Sequence, residues 1–240
     1  TPVVLLSATL HHSIANSLVK AYLEGARGYR WSKSEPQPVP EISYPGWLHA
    51  DARTGKVTRS ADVAPVPTAT TPRKPLAVRL VEVPVEKGRP DRSEALHREL
   101  TPLVEGGGCA AVICTTVAEA QEVYDLLADW FAERGGNAPE LHLLHARFPN
   151  RQRTEITETV VDLFGKDGAK NGRRPTHGAV LVATQVVEQS LDLDLDLMVS
   201  DIAPVSLLLQ RAGRCWRHEH LGIVERPVWA ERPELVVLTP

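Results

Sequence analysis

From residue 76 onward the chain alternates short apolar, β-rich runs with segments of helical period, and this alternation restricts the fold more than any other feature. The strand candidates are LAVRLVEVPV (76–85), CAAVICT (109–115), LHLLHA (141–146), GAVLVAT (178–184), LDLMVSD (195–201) and ELVVLTP (234–240). Several lack the polar alternate positions of a strand with one wet face, so both of their faces must be covered. Helical segments lie between them at about 93–105, up to about Arg134, and from Arg151 to Phe164. On the second of these, Ala120, Val123, Leu126, Leu127 and Trp130 share one side, as a 3.6-residue period requires. The expected class is α/β, a mostly parallel sheet with helices on both faces. A length of 240 residues with 42% apolar content suffices for one good core of this kind. Ligands of such sheets gather at the carboxyl ends of the strands, so residues that leave a strand or open the next helix are where chemistry is to be sought.

Upstream the texture differs. Residues 3–6 are apolar and β-rich, SATL follows as a turn, and a helix is expected from Ser13, with Ile14, Leu18, Val19 and Tyr22 on its apolar side, until Gly25 and Gly28 stop it. From 34 to 75, Pro36, Pro38, Pro40, Pro45, Pro65, Pro67, Pro72 and Pro75 leave no period, which reads as a linker or irregular insertion. The organisation expected is therefore 1–33, 34–75 and 76–240. Net charge is −3, so any nucleic-acid contact must come from a local patch. Cys109, Cys114 and Cys215 form neither a CxxC pair nor an even set, which fits a reducing, cytoplasmic setting and argues against structural zinc. No apolar run is long enough to cross a bilayer, and the start lacks the basic region of a signal peptide.

Two stretches carry most of the polar chemistry. In VATQVVEQSLDLDLDLMVSD (182–201), Thr184 and Gln185 leave a buried strand, and Asp192, Asp194 and Asp196 then alternate with leucines. That pattern reads as a cap followed by an edge strand with a wet face, or as polar groups gathered for a ligand. In LLLQRAGRCWRHEH (207–220), Arg211, Arg214 and Arg217 recur every three residues behind an apolar stretch. On a continuing helix they drift by about 60° per step and share one broad face. Guanidinium is permanently charged, planar and bidentate toward phosphate oxygens; ion pairs with Glu219 or Glu225 are the plainer reading for Arg211 and Arg217. Thr115 and Thr116 end a strand at the start of a helix, where amides and hydroxyls cap the helix or hold a phosphate. His145, Arg147 and Arg151 follow the next strand end. GKDGAKNGRR (165–174) reads as a flexible basic loop, a solvated connection rather than a reader of DNA, the alternative being that Lys170, Arg173 and Arg174 add salt-sensitive affinity for nucleic acid.

In chain order, Ser-Ala-Thr, T-x-x-x-E-x-S-L-x-x-D and Q-R-x-G-R-x-x-R resemble motifs III, V and VI of superfamily 2 helicases. EQSLDLDLDLMVSDIAPVSLLLQRAGRCWRH (188–218), with VICTTVAEAQEVYDLL and LLHARFPNRQR, is more narrowly similar to the CRISPR-associated helicase–nucleases of type I systems. The likeness covers Val3 to about Gly25 and about Leu76 to the end. It implies a RecA-like second helicase lobe at 76–240, with the end of the first lobe at 1–33. It also implies ATP, with Mg²⁺, in a cleft between the lobes. By motif position Arg214 and Arg217 are then arginine fingers and Gln210 the γ-phosphate or water sensor. Arg211 bridges to the acidic motif of the other lobe, Asp194 and then Asp192 approach the nucleotide ribose, and Ser7 and Thr9 couple the lobes. Thr115, Thr116, His145, Arg147, Arg151, Thr184 and Gln185 meet the backbone of single-stranded DNA; the family carries Asn at the position of Thr115.

Neither TGKV nor FGKD completes a phosphate-binding loop, and the sequence has no acidic pair after a strand and no His-Asp doublet. The parts that bind most of ATP, magnesium and any nuclease metals are accordingly expected upstream, leaving this stretch inactive alone. The partners implied are single-stranded DNA, the first lobe and an RNA-guided surveillance complex, with no membrane. The function expected is the second motor lobe of an ATP-dependent DNA translocase in CRISPR interference. The alternatives are a DEAH-like helicase lobe or a helicase-derived lobe that only binds nucleic acid.

Overall fold

The computed structural model describes residues 3–6, 10–27, 39–41, 46–60, 75–86, 88–188, 191–219, 222 and 224–240. It divides the chain into two compact units, Thr1–Arg73 and Lys74–Pro240.

In the first unit, helix α1 spans His12–Arg27. Its buried stripe is Ala15 and Leu23, with Val19 half-buried between them, whereas Ile14 and Leu18 of the expected face are exposed. Residues 3–6, expected as a strand, form none: a strand needs a neighbour to take its amides and carbonyls, and no described residue pairs with them. Inside the Pro-rich stretch the chain makes an antiparallel hairpin, β1 (Leu48–Ala50) with β2 (Val57–Arg59), paired Leu48 to Arg59. Composition had marked this stretch only as irregular.

The second unit is built on a six-stranded sheet in which every pairing is parallel. Its strands are β3 (Ala77–Glu82), β6 (Cys109–Ile113), β7 (Glu140–Leu144), β8 (Ala179–Ala183), β9 (Leu197–Asp201) and β10 (Glu234–Thr239), with a small hairpin, β4 (Val85–Glu86) and β5 (Arg89–Pro90), after the first. The order across the sheet is β3-β10-β9-β6-β8-β7. Together with the helices below, this is the RecA-like α/β architecture expected.

The runs without polar alternation become the strands buried on both faces. On β6, Ala110 and Val112 point to one layer, Cys109, Ala111 and Ile113 to the other. The first layer is closed by α2 (Ser93–Gly106), through Leu96, Leu100 and Leu103, and by α3 (Val117–Ala132), through Val123, Leu127 and Phe131. The second is closed by α4 (Asn150–Phe164), through Val160 and Phe164, and by the short α6 (Val205–Ala212). Each fully buried leucine of α2 contributes ~1.5–3 kcal/mol, so this packing, and not helix propensity, holds the layers. α2 stops at Gly107, whose φ of 71° suits glycine and where a Cβ would lie 2.8 Å from the Thr176 carbonyl oxygen. The basic loop of 165–174 is partly ordered: α5 (Lys166–Lys170) occupies it, Arg173 pairs with Asp162, and Arg174 pairs with Asp196 at 2.8 Å. Among the described residues no helix is long and apolar enough to cross a membrane.

All three cysteines are buried. Burial pushes the Cys109 thiol up to about 12 and raises that of Cys114 as well. An aromatic disulfide reagent at pH 8 is expected to label no cysteine in the native protein and all three after denaturation. Fast native-state labelling of any one would contradict this packing.

Candidate functional site

The polar groups that leave the sheet at its carboxyl edge are tied together by Asp201, the last residue of β9. Arg92 grips its carboxylate with both arms, Nε to Oδ1 at 2.7 Å and Nη2 to Oδ2 at 2.8 Å. The same Nη2 donates to Glu119 Oε1 at 2.8 Å. Glu119 forms a reciprocal cap with Thr116: its amide donates to the Thr116 hydroxyl at 3.2 Å, and its carboxylate accepts the Thr116 amide at 2.9 Å. The Thr115 amide donates to Asp201 Oδ2 at 2.8 Å. The turn after β6 is thus anchored to β9 and to the start of α2. Arg92 directly precedes α2, where the helix dipole disfavours a cation; two carboxylates offset that. Burial lowers the Arg92 pKa, but the bonds to Asp201 and Glu119 reverse this and raise it overall. Removing one partner of such a buried pair costs about 3–5 kcal/mol. Sequence reasoning missed Arg92, although a cation at a helix start was a readable signal of a buried partner.

The expected nucleic-acid contacts divide by exposure. Thr115, Thr116, Arg147, Arg151 and Gln185 are exposed around this edge. Thr184, 2% exposed, and His145, 3% exposed, are buried beneath it. The Thr184 amide donates to the Leu144 carbonyl at 3.3 Å, and the His145 ring stacks on Phe148 with centroids 4.1 Å apart. Burial lowers the His145 pKa and Arg147 adds to the effect, so the ring is neutral near pH 7. Arg151 pairs with Glu155 one turn along α4.

The arginine row does not form a helix face. α6 ends at Ala212, and the chain then turns through Gly213 and through Trp216, whose φ is 49°. Cys215 instead makes a parallel bridge with Leu195, and that pairing replaces the helix. The three arginines therefore have separate surroundings. Arg211 is buried: Nε and Nη2 bind Glu188 Oε1 at 2.8 and 2.6 Å, and Nη1 donates to the Ser200 hydroxyl at 2.7 Å and the Asp201 carbonyl at 3.3 Å. Among the described residues its ion-pair partner is Glu188 and not Glu219 or Glu225. Arg217 is half-exposed, with Nε 2.6 Å from Asp192 Oδ1. Gln210 sits half-buried on α6, one turn before Arg214.

Arg214 is the unusual member. It is 8% exposed and donates to two backbone carbonyls, Leu191 and, at 3.2 Å, Glu188, while its Nε is buried with no hydrogen-bond partner. Among the described residues no carboxylate forms an ion pair with it. Burial and the Arg217 charge lower its pKa, with Asp192 opposing them. A largely desolvated cation whose hydrogen bonds go only to backbone carbonyls is a site where an anion would be bound strongly.

The aspartates also divide. Asp192 is half-exposed, between Arg217 and His218. Asp194 and Asp196 lie at the amino end of β9, fully buried. Asp194 Oδ1 is 2.7 Å from Arg226 Nη1, and Oδ2 accepts the His218 amide at 3.0 Å. Asp196 accepts the Cys109 amide at 2.7 Å and pairs with Arg174 and Arg226, each at 2.8 Å. Asp194, expected near a ribose, is thus fully buried here, with its charge paired to Arg226. Ser7 and Thr9 lie outside the described residues. Among the described residues no cluster of three or more His, Cys, Asp or Glu is arranged to hold a metal.

Comparison with known proteins agrees with the motifs. The family described as "CRISPR-associated nuclease/helicase Cas3, C-terminal" matches residues 106–220. The chain is 35% identical to the CRISPR-associated endonuclease/helicase Cas3 of Thermus thermophilus, over 99% of this chain and 26% of that protein. It superposes on crystal structures of T. fusca Cas3 with ADP and with ATP at a TM-score of 0.89 for each, with 79% identity, 100% of this chain and 26% of theirs. A chain in a CRISPR RNA-guided surveillance complex, pre-nicking, matches at a TM-score of 0.84 and 76% identity, covering 100% of this chain and 28% of that one. The chain thus spans about a quarter of the length of these relatives.

The Glu119 contacts predict a pH signature. Burial alone raises its carboxyl, but Arg92 and then Thr116 hold it below the ordinary 4.5. A lowered folded-state pKa stabilises the fold above the unfolded value, and that contribution is lost as pH falls through the folded value. Glu119→Gln is expected to melt lower than wild type at pH 7, with the gap closing below pH ~4.5. A gap unchanged between pH 7 and about pH 3 would contradict the pairing.

Proposed function

The chain belongs to the Cas3 family of CRISPR-associated nuclease/helicases, as its C-terminal helicase region, and from that premise we propose that it is the second motor lobe of an ATP-driven translocase on single-stranded DNA. In this reading residues 76–240 are the lobe, 34–75 a connecting insertion, and 1–33 the end of the first lobe, with Ser7 and Thr9 coupling the two. ATP, as its magnesium complex, is held mostly by the first lobe of the full-length protein, and the closing second lobe supplies Arg214 to the transferring phosphoryl group. This stretch alone hydrolyses no ATP.

The observation that carries the proposal is Arg214: nearly buried, without an acid partner among the described residues, and with an unsatisfied Nε. Its free hydrogen-bonding capacity suits phosphoryl oxygens and not a metal. A guanidinium aimed at the charge that develops in phosphoryl transfer is worth ~10³–10⁵ in rate. Arg217 is the second finger. Its partner Asp192 is half-exposed, so exchange of that carboxylate for phosphate costs only part of a full desolvation. Asp192 is then the carboxylate free to meet the nucleotide, and Gln210 orients the γ-phosphate or the attacking water. The buried Arg211 keeps a structural place in the scheme, fixing Glu188 beside Arg214.

DNA is proposed to run along the carboxyl edge, its phosphates meeting the exposed Thr115 hydroxyl with Arg147, Arg151 and Gln185 at the turn that Thr116 caps, while His145 and Thr184 shape the edge from below. Contacts of this kind read charge and not bases. That suits a motor whose target is chosen elsewhere, and we propose an RNA-guided surveillance complex as that partner. The similar chain seen in such a complex supports the choice. Of the alternatives, family membership favours a Cas3-type motor over a DEAH-like one, and the unneutralised Arg214 favours catalysis over binding alone.

In the full-length protein, Arg214→Ala is expected to lower DNA-stimulated phosphate release by ~10³-fold or more with nucleotide affinity changed far less, because the finger acts on transition-state charge. Arg214→Lys should rescue poorly, since it keeps the charge and loses the fork. Wild-type turnover by Arg214→Ala would refute the finger assignment.

A further inference from the structure

The loop that carries Arg214 and Arg217 does not hold its own shape. It is fastened to the 194–196 stretch by the Leu195 amide to the Arg214 carbonyl at 2.9 Å, the Trp216 amide to the Leu195 carbonyl at 2.9 Å, and the His218 amide to Asp194 at 3.0 Å. Between the two arginines, Trp216 adopts a φ of 49°, which a bulky side chain takes only when its surroundings enforce it. The anchoring stretch itself carries two buried carboxylates, Asp194 and Asp196, which the interior tolerates only with counter-charge.

One side chain serves both needs. Arg226 Nη1 lies 2.7 Å from Asp194 and 2.8 Å from Asp196. Its Nε donates to Glu219 at 3.3 Å, and its guanidinium lies over the Trp216 ring, 5.0 Å from the centroid. Arg226 thus touches the buried anchor on one side and the outer face of the loop on the other. Arg174 bears only on the anchor, 2.8 Å from Asp196.

We propose that Arg226 is a positioning residue for the arginine fingers: it clamps the 214–219 loop between the buried Asp194–Asp196 pair and its own contacts with Trp216 and Glu219, and so fixes where Arg214 points. The proposal rests on the reading of Arg214 as a finger. Its consequence is kinetic, because a misplacement of about 1 Å costs on the order of 10²-fold in rate while ground-state binding is barely touched.

The test uses the full-length protein, comparing Arg226→Lys, Glu219→Ala, Arg214→Ala and wild type. The readouts are DNA-stimulated phosphate release (kcat and KM for ATP) and thermal midpoint. Lysine keeps the charge that neutralises the buried pair and loses both the donor to Glu219 and the planar contact with Trp216. The expected result for Arg226→Lys is a fall in kcat of about tenfold or more with KM within about twofold and a near-native midpoint. Glu219→Ala, which alters an exposed side chain, should lower kcat in the same direction by less. If Arg226→Lys melts early, Glu219→Ala decides: lowered kcat at an unchanged midpoint supports the clamp, and wild-type kcat overturns it. Wild-type kcat in Arg226→Lys, or a loss expressed only in KM, overturns the clamp while an inactive Arg214→Ala preserves the finger. Wild-type turnover by Arg214→Ala instead removes the finger reading on which the clamp rests.

Discussion

A carboxylate at the end of a central strand organises this lobe. Asp201 binds the Arg92 guanidinium through both oxygens and takes the Thr115 amide, while its own carbonyl and the neighbouring Ser200 hydroxyl receive Arg211. Arg211 in turn holds Glu188, whose carbonyl accepts from Arg214. The turn proposed to meet DNA and the arginine proposed to meet ATP are thereby joined through Asp201, Arg211 and Glu188, by way of the main-chain carbonyls of Asp201 and Glu188. Each buried charge in the chain is offset by its neighbour until Arg214, where acids give way to carbonyls. A lobe that stabilised itself fully would put an acid there. Leaving the last cation to dipoles sacrifices some folding free energy and retains electrostatic attraction for a ligand.

The same division between satisfied and unsatisfied charge separates the sheet's two ends. At the amino end of β9, Asp194 and Asp196 are fully buried and neutralised by Arg174 and Arg226, so that end is structural. At the carboxyl end the backbone turns after β6, β7 and β8 are exposed on one side and anchored on the other. Their geometry is fixed beneath the surface by Arg92, His145 and Thr184, and a phosphate backbone would meet a surface already set.

The sheet was legible in the sequence because its signal is local: six apolar, β-rich runs, several of them without the polar alternate positions of a strand with a wet face, became the six strands. The carboxyl-edge residues were legible for the same reason, since each directly follows such a run. The fate of the arginines was not. A spacing of three is compatible with a helix, and Gly213 alone does not end one. What ends it is the pairing of Cys215 with Leu195, twenty residues earlier in sequence, which no local window contains. The burial of the aspartates was equally illegible. Asp192 and Asp194 have near-identical neighbours, yet one is half-exposed and the other buried, because Arg226 arrives from a distant loop to neutralise the second. Residues 3–6 failed in the opposite sense: their composition favours a strand, but a strand is a property of pairs. Burial of charge is decided by long-range partners, and single-sequence patterns report only the periodicity of a face.

The central claim is that Arg214 is held unneutralised for a transferring phosphoryl group. The most direct measurement is a structure of the full-length protein with single-stranded DNA, ADP and a planar fluoride mimic of that group. The account predicts that the Arg214 guanidinium lies within hydrogen-bond distance of the mimic's fluorines, with Leu195 still paired to the loop that carries it. An Arg214 directed only at the Leu191 and Glu188 carbonyls, with the mimic neutralised by other groups, would contradict it.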